Sequence, residues 1–136
     1  MARPGNPGWF AGSVAASSAS NVWAASTNGA AVDHWDGRRW SRVTSGIPAA
    51  ALLGPIASDG RGGLWLYAGS PADKPFLAHY RNGKWTRAAV PAAARGAVSV
   101  AAPALIPGTH TLWAVSGVGV GAFGTSEGAA ILAYGH

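Results

Sequence analysis

The chain has 136 residues, enough for one ordinary domain, and carries a net charge of +5 with only 11% charged residues, well under the ~25% of an average soluble domain. It has no cysteine, which excludes disulfides and thiolate metal sites. Pro4, Pro7 and nearby Gly and Ser interrupt the first twenty residues, so no signal-peptide core is read there, and no apolar run approaches the roughly 18 residues of a membrane helix.

In chain order, residues 1–12 form an arm whose Gly8-Trp9-Phe10 is a candidate closing strand. Short β-rich runs punctuated by Gly, Pro, Asn and Asp follow it. The first expected strand is Ser13 to Ser17. It leads to Val22-Trp23-Ala24, then to Ala31 to Trp35, and through Asp36-Gly37 to Arg39 to Val43. The same order returns in Pro55 to Ser58, Leu64-Trp65-Leu66, Phe76 to Tyr80 and, through Asn82-Gly83, Lys84 to Ala88. Asp-Gly and Asn-Gly are hairpin signals. Alternation puts Leu64 and Leu66 on one face of their strand and Trp65 and Tyr67 on the other. A third round has Ala97 to Ala101, an insertion from Pro103 to His110, then Leu112-Trp113-Ala114 and Ala130 to Tyr134, with no fourth strand. The alanine runs at 49–51 and 92–94 favour helix locally, but Pro48, Pro55 and Pro91 box them in, so they are expected to be loops.

Corresponding positions recur 42, 45 and 48 residues apart. An interval of this size signals a repeat architecture whose units bury their faces only by stacking on neighbours. Three units are expected, over about 13–46, 55–90 and 97–136. The segments Asn21-Val22-Trp23-Ala24 and Asp33-His34-Trp35-Asp36-Gly37-Arg38-Arg39-Trp40 resemble bacterial β-propeller repeats of the form "xVWAVG…HWDGxxW". Asp59-Gly60-Arg61-Gly62-Gly63-Leu64-Trp65 is similar to repeats in bacterial sensor propellers. The resemblance implies an all-β propeller segment of about three four-stranded antiparallel blades, the third incomplete. Closed propellers usually have four to eight blades. The expectation is therefore a fragment of a longer propeller chain or, as the alternative, a protomer that completes a ring with copies of itself.

The resemblance is specific for fold and leaves activity open, because propellers host binding modules, sensors and hydrolases alike. Trp23, Trp65 and Trp113, and on the third strand Trp35, Tyr80 and Tyr134, are read as blade-packing aromatics. Trp40 and Trp85 are placed on the outer strand, nearer solvent. His34 and His79 match between units, but equivalent positions in neighbouring sheets lie about 10 Å apart, too far to share an ion. They are read as strand-packing side chains, and no metal or cofactor is expected.

The acids are five: Asp33, Asp36, Asp59, Asp73 and Glu127. Asp36 and Asp59 are assigned to turns. Asp73 and Glu127, with Asn28 and Lys74, fall in the loops joining second and third strands and are the candidate ligand-binding residues. Arg38, Arg39, Arg42, Arg81, Lys84 and Arg87 gather on the outermost strands, where charge protects a sheet edge. An anionic polymer is a second reading of that charge. The expected function is a non-catalytic binding or scaffolding module with a glycan or protein ligand. The alternative is part of a propeller enzyme, a sialidase-like hydrolase or lyase, or of a bacterial sensor propeller.

Overall fold

Three antiparallel β-sheets follow one another along the chain in the computed structural model, which describes residues 11–26, 31–43, 46–47, 52–69, 76–88, 97–100, 103–118 and 128–134. Sheet 1 is built from β1 (Ala11–Ser18), β2 (Asn21–Ser26), β3 (Val32–Trp35) and β4 (Trp40–Val43), in that spatial order. Sheet 2 repeats it with β5 (Leu52–Ser58), β6 (Leu64–Gly69), β7 (Phe76–Arg81) and β8 (Lys84–Ala88). Sheet 3 contains β9 (Ala97–Val100), β10 (Ala104–Leu105), β11 (Leu112–Val118) and β12 (Gly128–Tyr134). Both β9 and β10 pair with β11, one at each end of it, so sheet 3 is three strands wide. The segment read as an insertion before Trp113 thus supplies the short strand β10. The all-β expectation holds, with no helix among the described residues. The N-terminal arm through residue 10 and the two alanine runs lie outside the described residues.

The β3–β4 and β7–β8 hairpins follow from their turn residues. In sheet 2 the β7–β8 turn centres on Asn82 (φ 51°) and Gly83 (φ 78°), both in the left-handed region that a type I′ turn requires. In sheet 1 the Asp36 N–H bonds the Arg39 carbonyl at 3.2 Å, so the central pair is Gly37-Arg38, not the expected Asp36-Gly37. Only Gly37 (φ 93°) has positive φ there, a conformation that glycine adopts without strain. Asp36 closes this turn from its flank: its Oδ1 accepts the Arg38 and Arg39 N–H groups, both at 2.8 Å.

The register of the three sheets coincides. Trp23 stands opposite His34, Trp65 opposite His79 and Trp113 opposite Ala133. Alternation along β6 buries Leu64, Leu66 and Ala68 and leaves Trp65, Tyr67 and Gly69 half-buried on the other face, as the sequence pattern requires.

The core lies between sheets 1 and 2. Trp23, Ala25 and Val32 from one face of sheet 1 pack with Leu53, Ile56, Leu64, Leu66, Phe76 and Ala78 from the facing side of sheet 2. Each bulky side chain buried here contributes about 1.5–3 kcal/mol relative to exposure. Ser13 Oγ also accepts the Ile56 N–H across the junction at 3.1 Å, which satisfies a donor at the irregularity between Leu53 and Ile56 in the β5–β6 ladder. Sheet 3 meets sheet 2 at the Ser58–Arg61 turn. Leu105, Thr109 and His110 close on Gly60, and the Arg61 Nε–H donates to His110 Nε2 at 2.8 Å.

Candidate functional site

One polar arrangement recurs in sheets 1 and 2: a tryptophan, a histidine stacked upon it and a side-chain oxygen that receives the histidine N–H. In sheet 2 the Trp65 and His79 rings stack with centroids 4.2 Å apart and planes 7° from parallel. Their strand positions are directly opposite, which makes this a cross-strand pair held by the ladder itself. His79 Nε2 donates to Asp59 Oδ2 at 3.0 Å. Asp59 Oδ1 meanwhile accepts the Arg61 and Gly63 N–H groups at 2.7 Å each, and the Asp59 N–H bonds the Gly63 carbonyl at 3.1 Å. Burial pushes the Asp59 carboxyl up. The bonds from His79, Arg61 and Gly63 outweigh it and hold the group below its ordinary value.

Sheet 1 builds the same unit from different atoms. Trp23 and His34 stack at 4.0 Å and 25°. His34 Nε2 donates to Asn21 Oδ1 at 2.6 Å, and Asn21 Nδ2 donates onward to Ser17 Oγ at 2.5 Å. By the offset of the tryptophans, Ser17 stands where Asp59 does and Asn21 where Gly63 does. The two sites exchange roles: a Cβ at Gly63 would run into Asp59 Oδ2 and the Tyr80 carbonyl. The histidine is met by a carboxylate reaching from the turn or by an amide on the strand, and the volume admits one of them. His34 faces a neutral partner, and burial keeps its pKa below the ordinary value despite the opposing charge of Asp36.

In sheet 3 Ala133 occupies the histidine position, and no such unit forms. Trp113 is 44% exposed there, whereas Trp23 is 2% exposed. On the third strand Trp35, Tyr80 and Tyr134 share one register position, opposite Val22, Leu64 and Leu112. Tyr80 meets Trp23 edge-on at 5.2 Å across the sheet junction and packs beside Trp85. Trp35 tilts against Trp40 and donates its indole N–H to the Ala19 carbonyl at 3.2 Å. Trp40 and Trp85 stand on the outer strands β4 and β8, nearer solvent than Trp23. They are half-buried, and their indole nitrogens are buried without a hydrogen-bond partner among the described residues. The outer strands are edges of their sheets, but these rings fold back against Trp35 and Tyr80.

The acids that can be followed are all engaged. Asp33, 3% exposed, takes a forked pair of bonds from Arg42, at 3.0 Å to Nε and 3.4 Å to Nη2. Asp36 closes its turn, and the N–H groups of Arg39 and Arg38 lower its pKa. Asp59 is committed to His79 and its own turn. Asn28, Asp73, Lys74 and Glu127 lie outside the described residues. The basic outer edge is partly spoken for as well, since Arg42 pairs with Asp33 and the Arg87 guanidinium sits 3.8 Å over the Phe76 ring. A cleft beside Gly46, Ile47, Phe76, Trp85 and Arg87 encloses about 80 Å³, far below the ~300 Å³ at which small-molecule pockets begin. Among the described residues no group of three His, Cys, Asp or Glu is placed to hold a metal ion.

The paired Asp59–His79 and Asn21–His34 units are not singled out by residue type or by motif. Their signal is the reciprocal exchange at positions 17/59 and 21/63, visible only when the units are aligned and the turn lengths compared. No known protein family, curated protein or solved structure matches the chain.

Proposed function

We propose that the three sheets are blades of a β-propeller type and that the chain is a non-catalytic binding or scaffolding module, its ligand a glycan or a protein. The observation that carries this reading is the commitment of the carboxylates. Glycoside hydrolysis needs two carboxyl groups about 5–10 Å apart across a substrate. Asp33, Asp36 and Asp59 are each held by bonds that build hairpins. The histidines are likewise stacked on tryptophans, each with Nε2 given to an Asp or Asn. This polar chemistry holds strands in register. In the blade reading, ligand contact falls to Asn28, Asp73, Lys74 and Glu127 in the connections from second to third strands.

A glycan array, followed by titration of any hit with the Asp73→Ala and Glu127→Ala variants, tests the reading. Binding without turnover, weakened in these variants and retained in moderate salt, is the expected result. Steep loss of affinity with salt would favour the anionic-polymer reading instead. Hydrolysis of a bound glycoside, abolished by Glu127→Gln, would restore the enzyme reading.

A further inference from the structure

Two histidines meet the turn between β5 and β6 from different sheets, and they meet it in opposite senses. His79, on β7 of sheet 2, gives its Nε2–H to Asp59 Oδ2 at 3.0 Å. His110, between β10 and β11 of sheet 3, receives instead: the Arg61 Nε–H is aimed at its Nε2 over 2.8 Å. Arginine donates and never accepts, so this Nε2 offers a bare lone pair. The His110 ring is therefore neutral in the contact and carries its proton on Nδ1. That Nδ1 is buried and has no hydrogen-bond partner among the described residues. His34 and His79 are the reverse, each with a proton on Nε2 given to Asn21 or Asp59.

The bond lies at a close approach of sheets 2 and 3. A Cβ on Gly60 (φ 72°) would stand 3.0 Å from Leu105 Cδ2, 3.3 Å from the Thr109 carbonyl and 3.5 Å from His110 Nδ1, so glycine is what lets the two turns touch. The turn on the sheet 3 side is closed by the Ile106 N–H on the Thr111 carbonyl at 3.1 Å and the Thr109 N–H on the Ile106 carbonyl at 3.0 Å. From the sheet 2 side the charged groups of the facing turn are Arg61 and Asp59. Both Asp59 oxygens are engaged, Oδ1 by the Arg61 and Gly63 N–H groups and Oδ2 by His79, and these bonds keep its carboxyl ionised. Strand β7 adds His79, Tyr80 and the exposed Arg81, and β6 adds Tyr67. Strands β5, β9, β10 and β11 carry no titratable side chain, and β12 carries Tyr134 alone.

The geometry points to a proton-operated latch: uncharged His110 pins the β10–β11 turn of sheet 3 to Arg61 of sheet 2, and protonation of His110 releases it. A proton on Nε2 takes the lone pair that Arg61 uses and sets an imidazolium against a guanidinium, while the carboxylate of the turn is already committed. Imidazole makes this change within the range of about pH 5 to 8. His79 responds the other way. Its Nε2 already donates, so a second proton on its ring turns the bond to Asp59 into an ion pair and leaves the sheet 2 turn standing. Acid thus loosens the junction between sheets 2 and 3 without undoing the turn on which it is built. The latch depends neither on the blade reading nor on which ligand the chain takes.

Two measurements on the full chain test it. Long-range proton–nitrogen correlation spectra read which ring nitrogen holds the proton. At about pH 7.5, where imidazole is mostly neutral, His110 is expected with its proton on Nδ1 and His79 with its proton on Nε2. Amide hydrogen exchange, corrected for the intrinsic rate at each pH, reads the opening of the junction. Between about pH 7.5 and 5.5 the protection of the Ile106 and Thr109 amides is expected to fall about fivefold, the loss of one such hydrogen bond, while that of Asp59 and Gly63 changes less than about twofold. In Arg61→Ala the Ile106 and Thr109 amides should already sit at the lower value at the higher pH. In His110→Gln, whose side-chain oxygen accepts from Arg61 without titrating, the fall should be absent. A His110 proton found on Nε2 at the higher pH overturns the latch. So does protection at Ile106 and Thr109 that stays level while the His110 ring takes up its proton, or an equal fall in His110→Gln, which would assign the response to another group. The tautomer is read on the wild-type chain, so the latch remains decidable even where a variant fails to fold.

Discussion

Replacing Trp23 and Trp113 by alanine, one at a time, separates a tryptophan sealed between two sheets from one on an open face. Trp23 is 2% exposed, stacked on His34 at 4.0 Å and in edge contact with Tyr80 at 5.2 Å. Truncating a buried tryptophan costs about 3–5 kcal/mol in lost transfer energy and residual cavity. Its aromatic pairs add ~0.5–1.5 kcal/mol each beyond the area buried. The Trp23 variant should lose at least about 4 kcal/mol, a large part of the 5–15 kcal/mol available to a domain. Trp113 keeps 44% of its surface in water and faces Ala133 across the ladder, so its removal forfeits roughly half the transfer term, about 1–2 kcal/mol. Urea unfolding at concentrations where the chain is monomeric reads both values, as midpoint shifts at constant slope. Equal losses at the two positions would refute the assignment of a covered and an uncovered tryptophan face.

Other consequences follow from the turns and the paired histidines. Asn82→Ala, which forces a side chain without a compensating hydrogen bond into φ 51°, should cost about 1 kcal/mol, and Asn82→Gly only a few tenths, by chemical denaturation. Gly63→Asn should destabilise by about 2 kcal/mol or more through its collision with Asp59 and the Tyr80 carbonyl. Adding Asp59→Ser, which recreates the arrangement at Ser17 and Asn21, should recover part of that loss in the same assay. His34 has a folded pKa below 6.5, so the unfolded chain takes up its proton first. Stability from this group is full above about pH 6.5 and is lost as pH falls from there toward the folded value. Thermal melts of His34→Gln should lack that part of the slope. Asp59, also lowered, contributes stability that is present above its unfolded value of 3.8 and lost as pH falls through the folded one, and Asp59→Asn should flatten the acid limb of the melting profile.

Much of the architecture could be read from the chain because its strands obey strict alternation and its hairpins carry their own turn residues. Leu64-Trp65-Leu66-Tyr67 announces two faces, and Asn82-Gly83 announces a I′ turn. Asp36-Gly37 misplaced its turn by one residue, since the aspartate acts from outside the central pair, accepting two backbone N–H groups, while glycine supplies the positive φ. The outer tryptophans are half-buried for a related reason. Position on an edge strand suggests solvent, but cross-strand neighbours Trp35 and Tyr80 draw Trp40 and Trp85 inward.

The polar units were harder to foresee, because they combine distant positions. The turn before Gly60 accounts for Asp59 by sequence alone, yet its second oxygen reaches His79, twenty residues on. The histidine in sheet 1 finds an amide where its counterpart finds a carboxylate, so residue identity is not repeated although geometry is. Repeat alignment locates such sites only when substitutions at two positions are read jointly.

Sheets 1 and 2 pack face to face, with the tryptophan side of the first laid on the leucine side of the second. Nuclear Overhauser contacts between the Trp23 indole and the Tyr80 ring measure that packing most directly, since the two residues belong to different sheets and their rings are 5.2 Å apart. Strong cross-peaks between these rings in the dilute monomer are predicted. A Trp23 indole whose contacts all fall within residues 11–43 would contradict the stacked arrangement.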